Sequence, residues 1–159
     1  METVFQYRIP VLHPLMVHFP LALLLAAAFV ALVWMFRGTP FWRQCLLLLL
    51  AFGTGGALAA YFTGEPMEEQ SEGVPIVDAL VELHETMGLL TLVASIVSLA
   101  GVAALTLYLR RRRLSPNRTE LPRDPLVYRV PLALVVWLAA ALVAWTAHIG
   151  GTMVWGVAR

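Results

Sequence analysis

The sequence predicts an all-α integral membrane protein: a single domain over residues 1–159, built as a four-helix transmembrane bundle with both termini on the outer, periplasmic side. Composition is the first reason. Of 159 residues, 60% are apolar and only 13% charged, and the mean hydropathy is +0.78; that balance suits a chain solvated by lipid, not a soluble domain. Second, four apolar stretches, about residues 11–36, 45–62, 86–109 and 130–149, fall within or beyond the roughly 17–25 residues that cross a bilayer core. Lipid offers the backbone no hydrogen-bond partners, so these stretches are expected to be helices. Third, the basic residues are all arginine and are strongly sided, which sets the orientation.

The first span, residues 11–36, opens with His13, Pro14, His18 and Pro20 and closes at Arg37. Ala26, Ala27 and Ala28 form a small-residue run of the kind that ends a signal peptide. The positive charge follows the apolar stretch instead of preceding it, and the stretch runs on to Phe36, so a retained span is expected. Arg37 and Arg43 flank the first loop. The second span, 45–62, carries Gly53, Gly55, Gly56, Ala59 and Ala60. Gly55/Ala59 and Gly56/Ala60 have the small-x-x-x-small spacing that lets helix backbones approach closely. Cys45 is the lone cysteine, so one chain has neither a disulfide nor a cysteine-based metal site.

The loop after span two is acidic, with Glu65, Glu68, Glu69, Glu72, Asp78, Glu82 and Glu85. The third span, 86–109, follows it. His84, Gly88, Thr91, Ser95 and Ser98 recur in alternating steps of four and three, a single polar or small helical face that should point into the bundle. Arg110 to Arg113, Arg118, Arg123 and Arg129 fill the third loop, while only Arg8 and Arg159 lie on the other side. The positive-inside rule puts both arginine-rich loops in the cytoplasm. Contact with anionic headgroups explains the four-arginine run. A short loop offers no folded basic face, so no nucleic acid partner is expected. The fourth span, 130–149, shows Ala140, Ala144 and His148 at four-residue steps, which on spacing alone directs His148 inward. Phe5, Tyr7, Tyr61 and Trp155 are placed to form an outer aromatic belt, and Trp34, Phe41 and Trp42 an inner one.

All four histidines therefore fall at the outer end of their spans. Imidazole is the commonest metal ligand, and ionisable groups near a bilayer mark functional sites by default. At 1.5 Å rise per residue, His18 and His148 each lie roughly 28 Å above the inner arginines, with His13 and His84 roughly 36–39 Å above them. This suggests two tiers, His18 with His148 and His13 with His84. His13 and His18 stand about 140° apart around a helix, so one ion held by all four is not expected. Bis-histidine haem is the leading candidate, with His18, His84 and His148 as preferred iron ligands and His13 as a further cofactor-binding residue. Copper is the alternative, because Met16, Met87 and Met153 lie at the same end and thioether with imidazole suits that metal. The zincin pattern fails because Gly88 stands where its second histidine belongs. No carboxylate lies deep in a span, which leaves ion pumping unsupported.

The blocks HPLMVHFPLALL from His13, TGEPMEE from Thr63 with the later HETMG from His84, and HIGGTMVWG from His148 resemble the signature blocks of an uncharacterised bacterial membrane family, domain-of-unknown-function family 2231. The resemblance covers nearly the whole chain. It implies a small multi-pass protein of the bacterial inner membrane, sometimes found in respiratory or cytochrome-containing contexts, with recurring histidines at His13, His18, His84 and His148. A frequent Gly-His pair of the family is Ala147-His148 here.

The expectation is a b-type cytochrome-like electron-transfer subunit, carrying haem b near the outer face, and not a stand-alone enzyme. Its acidic outer loop would attract a basic periplasmic redox protein, and other membrane respiratory subunits are further candidate partners beside the lipid bilayer. The alternatives are a copper-handling membrane protein and a non-redox structural subunit of a larger membrane complex.

Overall fold

The computed structural model describes residues 12–68, 75–113 and 123–155. They form four helices: α1 (Leu12–Arg37), α2 (Pro40–Glu68), α3 (Pro75–Arg113) and α4 (Leu126–Trp155). Each is long and apolar enough to cross a membrane, over Leu12–Arg37, Pro40–Gly64, Ala79–Arg112 and Leu126–Met153. These ranges overrun the apolar stretches because hydropathy marks only the hydrocarbon-facing part of a helix. The backbone stays helical through the polar residues at the interface.

The bundle is apolar outside, and its interior mixes small with large side chains. Phe29, Phe52, Val127 and Leu134 are each at least 65% exposed, whereas Ala27, Ala28, Ala31, Ser95, Ser98, Ala133, Ala139 and Ala140 line the interior beside Trp34, Leu24, Leu46 and Leu50. Such a surface would aggregate in water and is at ease in lipid. Helices attract one another weakly there through the hydrophobic effect, so close backbone approach over small residues supplies the packing. A Cβ on Gly56 would stand 3.0 Å from both Phe19 Cβ and Pro20 Cδ, so this glycine admits the α1 backbone. Gly55 faces outward with nothing within 4 Å.

In cross-section α1 packs on α2 and α4, and α3 packs on the same two. The helices α1 and α3 are thus diagonal, facing each other across the bundle axis. The α1–α2 turn is short. Gly38 takes φ +66°, and its N–H bonds back to the Trp34 carbonyl at 2.7 Å, a left-handed helix cap that suits glycine. Pro40 then opens α2, where the first turn needs no donor.

Candidate functional site

The structure brings two of the four histidines together. His13 on α1 and His84 on α3 meet edge-on across the bundle, ring centroids 6.2 Å apart and planes inclined at 78°. Each is held by a neighbouring helix. His13 Nδ1 lies 2.9 Å from the Ala60 carbonyl oxygen, with Thr63 Oγ1 at 3.3 Å; His84 Nδ1 lies 3.0 Å from the Thr146 carbonyl oxygen. A carbonyl can only accept, so both Nδ1 atoms carry the proton and both Nε2 atoms keep a lone pair. No hydrogen bond engages either Nε2 among the described residues. A backbone carbonyl that fixes the tautomer and the ring angle is the usual support of a metal-binding histidine.

A glycine lies against each ring, and Gly150 makes room for that of His84. A Cβ at Gly64 would stand 3.4 Å from His13 Cε1, and one at Gly150 would stand 3.0 Å from His84 Cε1. Below the pair, Thr91 Oγ1 and Thr146 Oγ1 lie 3.1 Å apart, and each donates to its own helix. Met16 and Met87, each three residues after its histidine, are half-buried, as is Met153. Among the described residues no three His, Cys, Asp or Glu side chains gather into a metal-binding group.

The other two histidines lie elsewhere. His18 is exposed, and its Nδ1 bonds the carbonyl of Pro14 one turn earlier in its own helix. His148 is also exposed, beside Trp145 with centroids 5.8 Å apart, which corrects the inward direction that spacing gave it. Four-residue steps advance about 400°, so Ala140, Ala144 and His148 drift off the buried face by about 40° each time. The face of α4 that is buried follows alternating steps through Val136, Ala139 and Val143, and Ala144 is already exposed. His84, Gly88, Thr91, Ser95 and Ser98 keep that alternation, and all five are buried or half-buried.

At the opposite end lies a polar cluster that the sequence reading did not anticipate. Arg43 and Asp124 form an ion pair with side chains only 4% and 3% exposed. Arg43 Nε also donates to Thr106 Oγ1 at 3.2 Å, and Trp34 Nε1 donates to Asp124 Oδ2 at 3.0 Å. Arg129 donates to the Trp34 and Met35 carbonyls at 3.2 and 2.5 Å, placing its charge against the negative C-terminal end of α1. Arg43 and Arg129 are therefore buried structural residues as well as topology signals, and Trp34 is a core residue, not part of a belt. One available signal was that Asp124 is an acid standing just before a span in a predominantly basic stretch. Of the acidic loop, Glu82 and Glu85 are exposed; the side chains of Glu65, Glu68, Glu69, Glu72 and Asp78 lie outside the described residues, as do Phe5, Tyr7, Arg8, the Trp155 side chain and Arg159.

The family model described as "Predicted membrane protein (DUF2231)" matches residues 9–158. No curated protein and no solved structure matches the chain. The chain belongs to the DUF2231 family and is a multi-pass membrane protein.

Proposed function

For this member of the DUF2231 family, we propose a membrane-embedded electron-transfer subunit of the b-type cytochrome kind, with His13 and His84 as the residues that would hold a haem iron. The observation that carries the proposal is the facing pair of imidazoles on diagonal helices, each with Nδ1 committed to a backbone carbonyl and Nε2 left free. Two protein nitrogens are what a haem iron needs, because the porphyrin supplies the other four ligands. A structural zinc ion takes four protein ligands, and only two converge here among the described residues. Imidazole nitrogens sit about 2.0–2.1 Å from a bound metal, so a ring separation of 6.2 Å is of the size that one shared metal imposes.

When bound, the haem would supply one-electron chemistry. The chain's own residues hold and tune it. The Ala60 and Thr146 carbonyls would fix the orientation of the imidazoles, and Gly150 leaves space for the His84 ring. This replaces the ligand set favoured by spacing, since His18 and His148 stand on the exposed face. The family resemblance argues for a bacterial inner-membrane protein, and the arginine-rich loops argue for the histidine end on the periplasmic side. Exposed Glu82 and Glu85, close in sequence to His84, then suit a basic periplasmic redox partner.

Copper is the second reading, favoured by half-buried Met16 and Met87 placed three residues beyond each histidine. An absorption spectrum of the detergent-purified protein, oxidised and dithionite-reduced, with metal analysis of the same sample, tests both. Sharp reduced b-type bands lost in His13→Ala and His84→Ala support the haem reading. Copper at one equivalent with no haem bands would replace it by the second. A featureless spectrum and no metal in folded protein expressed with haem available would overturn both and leave a structural subunit.

A further inference from the structure

The bundle consists of two helical hairpins, α1 with α2 and α3 with α4, and they correspond residue for residue. His13 maps onto His84 with a shift of 71, and its acceptor Ala60 maps onto Thr146 with a shift of 86. Those two shifts then predict several further contacts. Gly64, against His13, maps onto Gly150, against His84. Met16 maps onto Met87. At the other end Arg43 maps onto Arg129 and Met35 onto Thr106, and the structure holds both resulting contacts: Arg43 Nε to Thr106 Oγ1, and Arg129 to the Met35 carbonyl. Gly38 maps onto Asp124, and these two bond to each other, Asp124 N–H to the Gly38 carbonyl at 2.7 Å.

Burial follows the same correspondence. When residues 13–37 are paired with 84–108, and 40–64 with 126–150, no residue buried in one helix is exposed in its counterpart. Helical periodicity alone keeps any two amphipathic helices in phase for a few turns. Here one register per helix pair serves over the whole length and also matches a histidine–carbonyl contact at one end and an arginine contact at the other. A two-fold axis along the bundle accounts for this, and for the packing of α1 on α4 and α2 on α3 as equivalent interfaces.

From this we infer that the chain is a doubled hairpin, and that His13 and His84 are equivalent ligands of a single metal centre lying on its two-fold axis. The second half rests on the ligand reading above. The chemistry common to its candidates is a metal that accepts one imidazole nitrogen from each side, the iron of a haem or a lone copper ion. Each hairpin brings the same half-site: a His-x-x-Met sequence, a carbonyl that holds the imidazole and a glycine one turn beyond it. Neither hairpin has a complete site. His18 and His148 map onto Leu89 and Phe62, so they fall outside the doubled set, in keeping with their exposed positions.

The doubling and the shared site are tested separately on the full chain. In a Cys45→Ser background, spin labels on Phe29→Cys/Phe52→Cys should report the same distance as Ala100→Cys/Leu138→Cys. Phe29→Cys/Leu138→Cys should likewise match Ala100→Cys/Phe52→Cys. All four positions are exposed. Distances that differ beyond the spread of the label overturn the doubled hairpin, with or without a cofactor. For the site, haem bands and metal content are measured in His13→Ala and His84→Ala. Losses of roughly tenfold or more, equal in the two, support it. Retention in one variant overturns the equivalence while leaving a cofactor protein; a metal-free wild type overturns the centre itself, together with the reading it rests on.

Discussion

At the arginine end of the bundle most polar groups are answered by the protein itself, the buried Arg129 Nε excepted: Arg43 faces Asp124, Trp34 donates to the same carboxylate, and Arg129 lies against the end of α1. At the histidine end only one side of each imidazole is answered. The donor nitrogens of His13 and His84 meet carbonyls, and the acceptor nitrogens meet nothing among the described residues. The first cluster, paired for the most part within itself, serves stability and orientation of helices. The second stops halfway, with acceptor lone pairs directed by fixed hydrogen bonds, and that open side is where the proposed metal would bind.

The contrast can be broken most forcefully at the arginine end. Asp124→Ala leaves Arg43 as an uncompensated buried charge, and about 3–5 kcal/mol of stability should disappear, read as the midpoint of thermal unfolding in detergent. Replacing both partners together, Arg43→Met with Asp124→Leu, should recover most of that loss. Trp34→Phe removes the donor to a charged acceptor, worth about 1.5–3 kcal/mol in the same assay, and the smaller ring adds the cost of a cavity at this fully buried site.

Perturbations at the histidine end should act on the occupant more than on the fold. In Gly150→Ala the new methyl group presses on His84 at 3.0 Å, and cofactor affinity should fall by roughly tenfold in a titration of the cofactor-free protein. Gly64→Ala, with 3.4 Å to His13, should lose less. Gly55→Ala meets nothing and should, if anything, stabilise its helix. Smallest of all are His18→Ala and His148→Ala, expected to leave the spectrum unchanged and stability within about 0.5 kcal/mol. A cofactor lost in His148→Ala but kept in His13→Ala would reverse the assignment and restore the ligands that spacing preferred.

Much of this was legible in the chain. The four spans could be read because lipid demands long apolar helices, and the inward face of α3 could be read because its polar residues follow alternating steps. The same argument failed on α4, where a run of four-residue steps looked like a face and was a slow spiral around the helix. Arg43 and Arg129 were visible as topology signals, yet nothing local distinguishes an arginine lying on headgroups from one buried against Asp124. The doubling left few marks in the sequence, chiefly two His-x-x-Met pairs and two matched arginines, because apolar lipid-facing positions tolerate wide exchange.

By itself, the sequence determined that this chain crosses a membrane four times and gathers its histidines at one end of its helices. Both follow from local chemistry: hydrocarbon thickness, backbone hydrogen bonding and the order of residues along each span. Only the tertiary structure decided which histidines meet. That depends on which helices are diagonal and on how each is rotated about its own axis, and a rotation of half a turn is enough to move an imidazole from the bundle axis to the lipid.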